Sequence, residues 1–189
     1  MKSLKIAIKD LIQVSDLELE DLLSFFHLKV LKKNEYFLVE GYLCNHIAFV
    51  KSGMLRKSNI NEKGVETICC FLEPSQFVTS FSSFISPNLA NENIQSISDT
   101  ELYVISKQDL ELLNNTIPSI QEFIRKVAEQ LVCIMENRIN HLINNTAEER
   151  YHLFLKNSPE LLNTISLQQL ASFLGITPQH LSRIKKIYK

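Results

Sequence analysis

Residues 166–186 read "SLQQLASFLGITPQHLSRIKK", and this stretch decides what the rest of the chain must be. Leu167, Leu170, Ala171 and Leu174 recur at helical spacing behind Ser166, a favourable N-cap. Gly175 supplies the left-handed residue that ends such a helix. Thr177 and Pro178 then open a second helix, Thr as N-cap and Pro at the first helical position, where its missing N–H leaves nothing unpaired. Ala171 is small where two steeply crossing helices touch, and Leu170, Leu174, Ile176, Leu181 and Ile184 fill the wedge between them. The outward positions Gln179, His180, Ser182, Arg183 and Lys186 carry amide, hydroxyl and cationic groups that suit base edges and phosphates. The pattern predicts a helix-turn-helix. The alternative is an ordinary αα-hairpin with a solvated polar face, against which the small residue, the glycine and the five apolar positions all argue.

Charge is distributed to match. The 189 residues carry a net charge of −1, which alone selects no partner. Residues 1–117 hold 11 basic and 15 acidic residues, whereas residues 118–189 hold 9 and 6. No acid follows Glu160, while Arg183, Lys185, Lys186 and Lys189 do. A basic tip on an acidic body is the footprint of a small nucleic-acid-binding module; an exposed basic helix without a partner is the other reading. No apolar run is long enough to cross a membrane, and "MKSLKIAIKDLI" lacks the cleavage site of a secretory signal, so a cytoplasmic protein is expected. The four cysteines (Cys44, Cys69, Cys70, Cys133) show no metal-ligand spacing and read as buried thiols, and the five histidines form no pair that would hold a metal.

The segment from Leu4 to about Phe26 is predicted helical, with a capped turn at Ser15. Short β-type runs follow, "FHLKVLKKNEYFLVEG", "HIAFVKSG", "MLRKSNINEKGVETICCFLE" and "ENIQSISDTELYVIS", predicting an antiparallel barrel or jelly roll. From "KQDLELLNN" the period lengthens, and Pro118 begins a helix predicted to reach Asn144. Two apolar rows run along it. Ile120, Ile124, Val127, Leu131 and Ile134 are expected to meet a second copy of the chain, and Phe123, Ala128, Val132, Met135, Ile139 and Leu142 the barrel. A single-chain core helix, buried on both sides, is the alternative. A further helix from Thr146 braces the terminal pair.

The order barrel, long helix, helix-turn-helix resembles the Crp-Fnr superfamily of bacterial transcription regulators over nearly the whole chain. "GYLCNHIAFVKSGMLR" is similar to the family's glycine-bounded signature, with Gly41 and Gly53 in place, and "NEKGVETICCFLEPSQF" to the hairpin that follows. "ITPQHLSRIKK" is similar to its reading helix, and "AEERY" with "LGITPQHLSRI" resembles the subgroup common in Bacteroidetes. The resemblance implies an α+β fold in three parts: a cyclic-nucleotide-binding-like β-roll (1–117), a dimerisation helix (118–144) and a DNA-binding unit (145–189). It also implies a non-enzymatic homodimer that binds double-stranded DNA at a near-palindromic site and has RNA polymerase as a further partner.

Departures from the family are as informative. Cyclic-AMP-binding members use a Gly-Glu pair and an Arg-Ser pair; here Thr79-Ser80 and Ala90-Asn91 stand in those places. No arginine lies between Arg56 and Arg125, and Lys63 and Lys107 are assigned to a hairpin turn and the barrel's end. A buried phosphate without a cation is strongly disfavoured, so cyclic AMP is not expected. The pocket is expected around Phe77, Thr79, Ser80, Phe81 and Phe84, either filled by those rings or holding an apolar or neutral ligand. An iron–sulfur cluster is disfavoured because no cysteine precedes Cys44.

On the reading helix (177–187), Arg183 corresponds to the family's guanine-reading arginine and Gln179 to its middle contact. Thr177 and His180 match phosphate positions. Pro178 replaces a base-contacting arginine, so a different operator is expected. The chain ends at Lys189, without the family's β-wing. The competing function is a small-ligand sensing module with vestigial DNA contact. A cupin-like enzyme would need a metal-binding His pair that the sequence lacks.

Overall fold

The computed structural model describes residues 1–187; Lys189 of the basic tip lies outside them. Two helices, α1 (Lys2–Leu11) and α2 (Asp16–Ser24), come first. They are separate because Ile12 turns extended at the end of α1. A reciprocal capping box then restarts the helix: Ser15 Oγ accepts from the Glu18 N–H and the Glu18 carboxylate accepts from the Ser15 N–H.

Eight strands follow: β1 (His27–Leu31), β2 (Tyr36–Leu38), β3 (His46–Ser52), β4 (Leu55–Ile60), β5 (Glu66–Leu72), β6 (Phe77–Val78), β7 (Asn93–Ser96) and β8 (Thr100–Ser106). They form two four-stranded antiparallel sheets, ordered β1-β8-β3-β6 and β2-β7-β4-β5. The short α3 (Phe81–Ile85) bridges β6 and β7, and α4 (Lys107–Leu113) closes the roll. Gly53 at the β3–β4 corner has φ +79°, and a Cβ there would stand 2.3 Å from the Asp99 carbonyl oxygen. Only glycine fits both that conformation and that approach.

The 25-residue α5 (Ile120–Asn144) leads to α6 (Ala147–Asn157), a 3₁₀ turn (Pro159–Asn163), α7 (Leu167–Leu174) and α8 (Pro178–Ile187). No helix among the described residues is long and apolar enough to cross a membrane.

Three apolar cores result. On β3, Ile47 and Phe49 point to one face and Ala48 and Val50 to the other, all fully buried. The first pair joins Leu4, Ile8, Leu22 and Phe123 under the helices. The second pair joins Leu55, Leu72 and Leu102 inside the roll. The third core lies beneath α6–α8 and recruits Phe71, Met54 and Ile97 from the roll.

The helix row expected to meet a second chain is instead turned inward. Ile120 and Val127 are fully buried, and Ile124 and Leu131 pack on the same core. Both apolar rows have helical spacing, so periodicity could not say which meets the chain's own sheet. Of the other row, Phe123 is buried in that same core, Ala128 and Met135 are half-buried, Met135 against the roll, and Val132, Ile139 and Leu142 are exposed, the first two by more than half.

Phe123 has no exposed surface and meets Phe77 edge-to-face, ring centroids 5.4 Å apart. Phe123→Ala should therefore lower unfolding free energy by about 3–5 kcal/mol in a denaturant titration. Leu17→Ala, at a position 78% exposed, should stay within about 0.5 kcal/mol of wild type.

Candidate nucleic-acid interface and the adjoining cavity

Local sequence builds the terminal unit in the expected way. Ser166 caps α7 through a capping box with Gln169, and Gly175 ends it at φ +68°, ψ +34°. Thr177 Oγ1 accepts from the His180 N–H at 3.2 Å, capping α8. Leu170, Ala171, Leu174, Leu181 and Ile184 are each at most 2% exposed, so the wedge between α7 and α8 is packed tight. With about 100° per residue, Gln179, Arg183 and Lys186 share one narrow sector opposite Leu181 and Ile184. All three are exposed, as are Thr177 and His180. The Ser182 hydroxyl is half-buried and donates to the Pro178 carbonyl at 2.9 Å, so its hydrogen is committed within the helix. His180 Nε2 lies 3.8 Å from the Glu148 carboxylate at the start of α6.

A cavity of about 320 Å³ lies between the roll and α5. Of the residues expected to line it, Thr79 and Phe81 do. Phe77 and Phe84 are core residues instead: Phe77 packs on Phe49 and Phe123, and Phe84 belongs to the same cluster. Ser80 is fully buried at the start of α3, and its hydroxyl has no hydrogen-bond partner among the described residues. Most of the cavity wall is apolar, from Leu72, Val78, Leu131 and Met135.

Sequence reasoning missed the cavity's cation. Lys57 follows Arg56 on β4 and points the other way, into the cavity. Its ammonium sits 2.8 Å from the Glu92 carboxylate and donates to the Thr79 carbonyl at 3.1 Å. Both side chains are mostly buried, 13% and 16% exposed. The visible signal was the inward alternation of Leu55 and Lys57 on one strand. Glu136 also lines the cavity, so the lining charges sum to −1. The Ala90 position is buried in the roll and Asn91 is exposed. A cyclic phosphate placed here would meet a cation that is already paired and two carboxylates facing the same space. Lys63 is exposed in the β4–β5 turn, and Lys107 Nζ donates to the Phe84 carbonyl. Cys70 also lines the cavity, where burial pushes its thiol pKa up to about 11; the thiol stays protonated and unreactive at neutral pH. Of the cysteines expected to be buried, Cys44 and Cys70 are, Cys69 is half-buried and Cys133 is exposed on α5. Among the described residues, no three His, Cys, Asp or Glu side chains converge as a metal site.

Two results should follow. Glu92→Gln strands the Lys57 ammonium and should cost about 1.5–3 kcal/mol by denaturant titration, with the Lys57→Met/Glu92→Leu double variant losing less than the sum of its singles. Cyclic AMP in excess should leave the melting temperature unchanged; a rise would show that the cavity accepts a phosphate after all.

Comparison with known proteins agrees with this architecture. Residues 28–115 match the family model described as the cyclic nucleotide-binding domain. No curated protein matches the sequence. Among solved structures, the c-di-GMP responsive global regulator CLP of Xanthomonas campestris is 18% identical with TM-score 0.73, over 92% of this chain and 91% of that one. A crp/fnr-family protein from Eubacterium rectale is 16% identical with TM-score 0.75, over 93% and 83%. FixK2 of Bradyrhizobium japonicum is 17% identical with TM-score 0.71, over 85% and 83%. At these identities the likeness is one of fold. Residues 28–115 are thus similar to the cyclic nucleotide-binding domain, in a chain whose fold is like that of the crp/fnr regulators.

Proposed function

We propose that the protein is a homodimeric, non-enzymatic transcription regulator that reads double-stranded DNA with α8. The observation that carries the reading is the division of α8 into two faces. Leu181 and Ile184 lock one face into a packed unit, while Gln179, Arg183 and Lys186 stand clear on the other. Such a helix offers an amide and a guanidinium to base edges, with a lysine for the phosphates beside them.

The second copy is assigned to the outward row of α5, Ala128, Val132, Met135, Ile139 and Leu142. Their spacing of four, three, four, three is that of a coiled-coil seam. A symmetric pair about this seam would present two α8 helices to half-sites one turn, ~34 Å, apart. The apolar cavity favours an uncharged effector over a cyclic nucleotide, if the dimer is regulated by a small molecule. The subgroup resemblance and action through RNA polymerase belong to the same reading.

Selection from a random duplex library, with purified protein at one salt concentration, should enrich an inverted repeat. On that site Arg183→Ala should cost about 1–3 kcal/mol and relax selection at one base pair. Lys186→Ala should weaken all duplexes alike and flatten the salt dependence by about one charge. Ile139→Glu should yield monomers in sedimentation and abolish selection of the repeat while leaving the fold intact. Recovery of no enriched sequence from a folded dimer would contradict the reading.

A further inference from the structure

The terminal helical unit does not hang from α5 alone; it is docked along the outer edge of β5. The Ile68 N–H donates to Ser172 Oγ at 3.0 Å, and the same hydroxyl donates to the Glu66 carbonyl at 3.1 Å. Ser158 Oγ donates to the Glu73 carboxylate at 2.6 Å. Phe71 of β5 packs against Phe173 and Phe154, ring centroids 5.2 and 6.5 Å away.

At the centre of this seam stands Arg138 of α5. Its Nε donates to the Cys69 carbonyl of β5 at 3.1 Å, and a terminal amino group donates to the Phe173 carbonyl of α7. The guanidinium also lies over the Phe173 ring, Cζ 4.1 Å from the centroid. One side chain thus joins three elements. A planar fork of donors reaches two carbonyls in different directions while stacking on a ring; the point charge of a lysine does not.

Resting on the DNA-reading function above, we infer that Arg138 is a positioning residue: by clasping Cys69 of β5 to Phe173 of α7, it holds the α6–α8 unit at a fixed setting on the β-roll. Two copies of α8 then meet successive grooves without first losing the freedom of a loose tether. That freedom would otherwise be lost on binding, and its loss opposes affinity. Arg138 itself touches no DNA in this scheme. Its effect falls on the selected site, where both half-sites must be met in register, rather than on general attraction to phosphates.

The test uses the full chain with Arg138→Met, Arg138→Lys and Ser172→Ala. Three quantities are read: affinity for the duplex that wild type selects and for a scrambled duplex at the same salt, hydrogen exchange of the Ile68 amide, and the melting curve. Arg138→Met and Ser172→Ala are expected to speed Ile68 exchange by about tenfold or more without global unfolding. Both should weaken the selected duplex by about tenfold and the scrambled duplex by less than about threefold. Arg138→Lys should behave as Arg138→Met. Full affinity in Arg138→Lys would overturn the inference, because charge alone would then suffice. Equal loss on both duplexes would overturn it by marking Arg138 as a phosphate contact, and a gain on the selected duplex by marking the clasp as a restraint. Should Arg138→Met fail to fold, Arg138→Lys decides by the same criteria, since Ser172→Ala removes the acceptor of the Ile68 N–H directly. Should wild type select no duplex, the DNA-reading function fails, and Ile68 exchange still decides the clasp: faster exchange upholds docking through Arg138, and unchanged exchange refutes it.

Discussion

A strand at the edge of a sheet presents backbone N–H and C=O groups that something must satisfy. In this molecule that strand is β5, last in the order β2-β7-β4-β5, and much of the architecture can be understood as the answer to its open edge. No ninth strand arrives among the described residues. Side chains take its place: Ser172 serves both Ile68 and Glu66, and Arg138 serves Cys69. The terminal helices are therefore not a separate bead on a linker. They complete a sheet and share a core with it through Phe71, Met54 and Ile97.

The same strand separates the cavity from those helices. Its pairing with β4 slips by one residue, so that Lys57 faces Cys70 while Ser58 faces Ile68, with Cys69 the extra residue. A bulge of this kind re-aims the side chains on either side of it. Cys70 and Leu72 line the cavity, whereas Ile68 joins Arg56, Glu66 and Ser172 around the cleft under α7. Cys69, whose carbonyl Arg138 holds, and Cys70, which lines the cavity, share a peptide bond.

Elements whose signals are local were legible in the sequence. The capping residues Ser15, Ser166 and Thr177, the left-handed Gly175 and the apolar wedge of α7 and α8 all act within a few residues, and each stands where the pattern put it. Readings that depended on which of two equivalent surfaces meets which partner were not legible. Ile120 and Val127 of α5 went to the chain's own core, a choice that the helical period, satisfied by both apolar rows, does not make. Phe77 of β6 and Phe84 of α3 went to the core and left the cavity to Thr79 and Phe81, since neither a two-residue strand nor a five-residue helix carries enough of a pattern to say which face the core takes. Arg138 and Lys57 escaped notice for a related reason. Each looks like an ordinary surface cation until the backbone carbonyls it serves are brought to it from 69, 35 and 22 residues away.

On the proposed DNA-reading function, the distribution of charge governs how the molecule would approach a duplex. The first 117 residues are net acidic and the remainder net basic, so phosphates repel the body and attract the tip. Within the tip the balance is local: Glu148 and Glu149 at the start of α6 sit close enough for Glu148 to face His180. The Glu148 flank of α8 would therefore disfavour a phosphate, and the sector of Gln179, Arg183 and Lys186 would favour one. Repulsion from the body would steepen that preference at low salt and relax it as counterions screen both signs. A net charge of −1 conceals this division, because orientation is set by the separation of the charges and not by their sum.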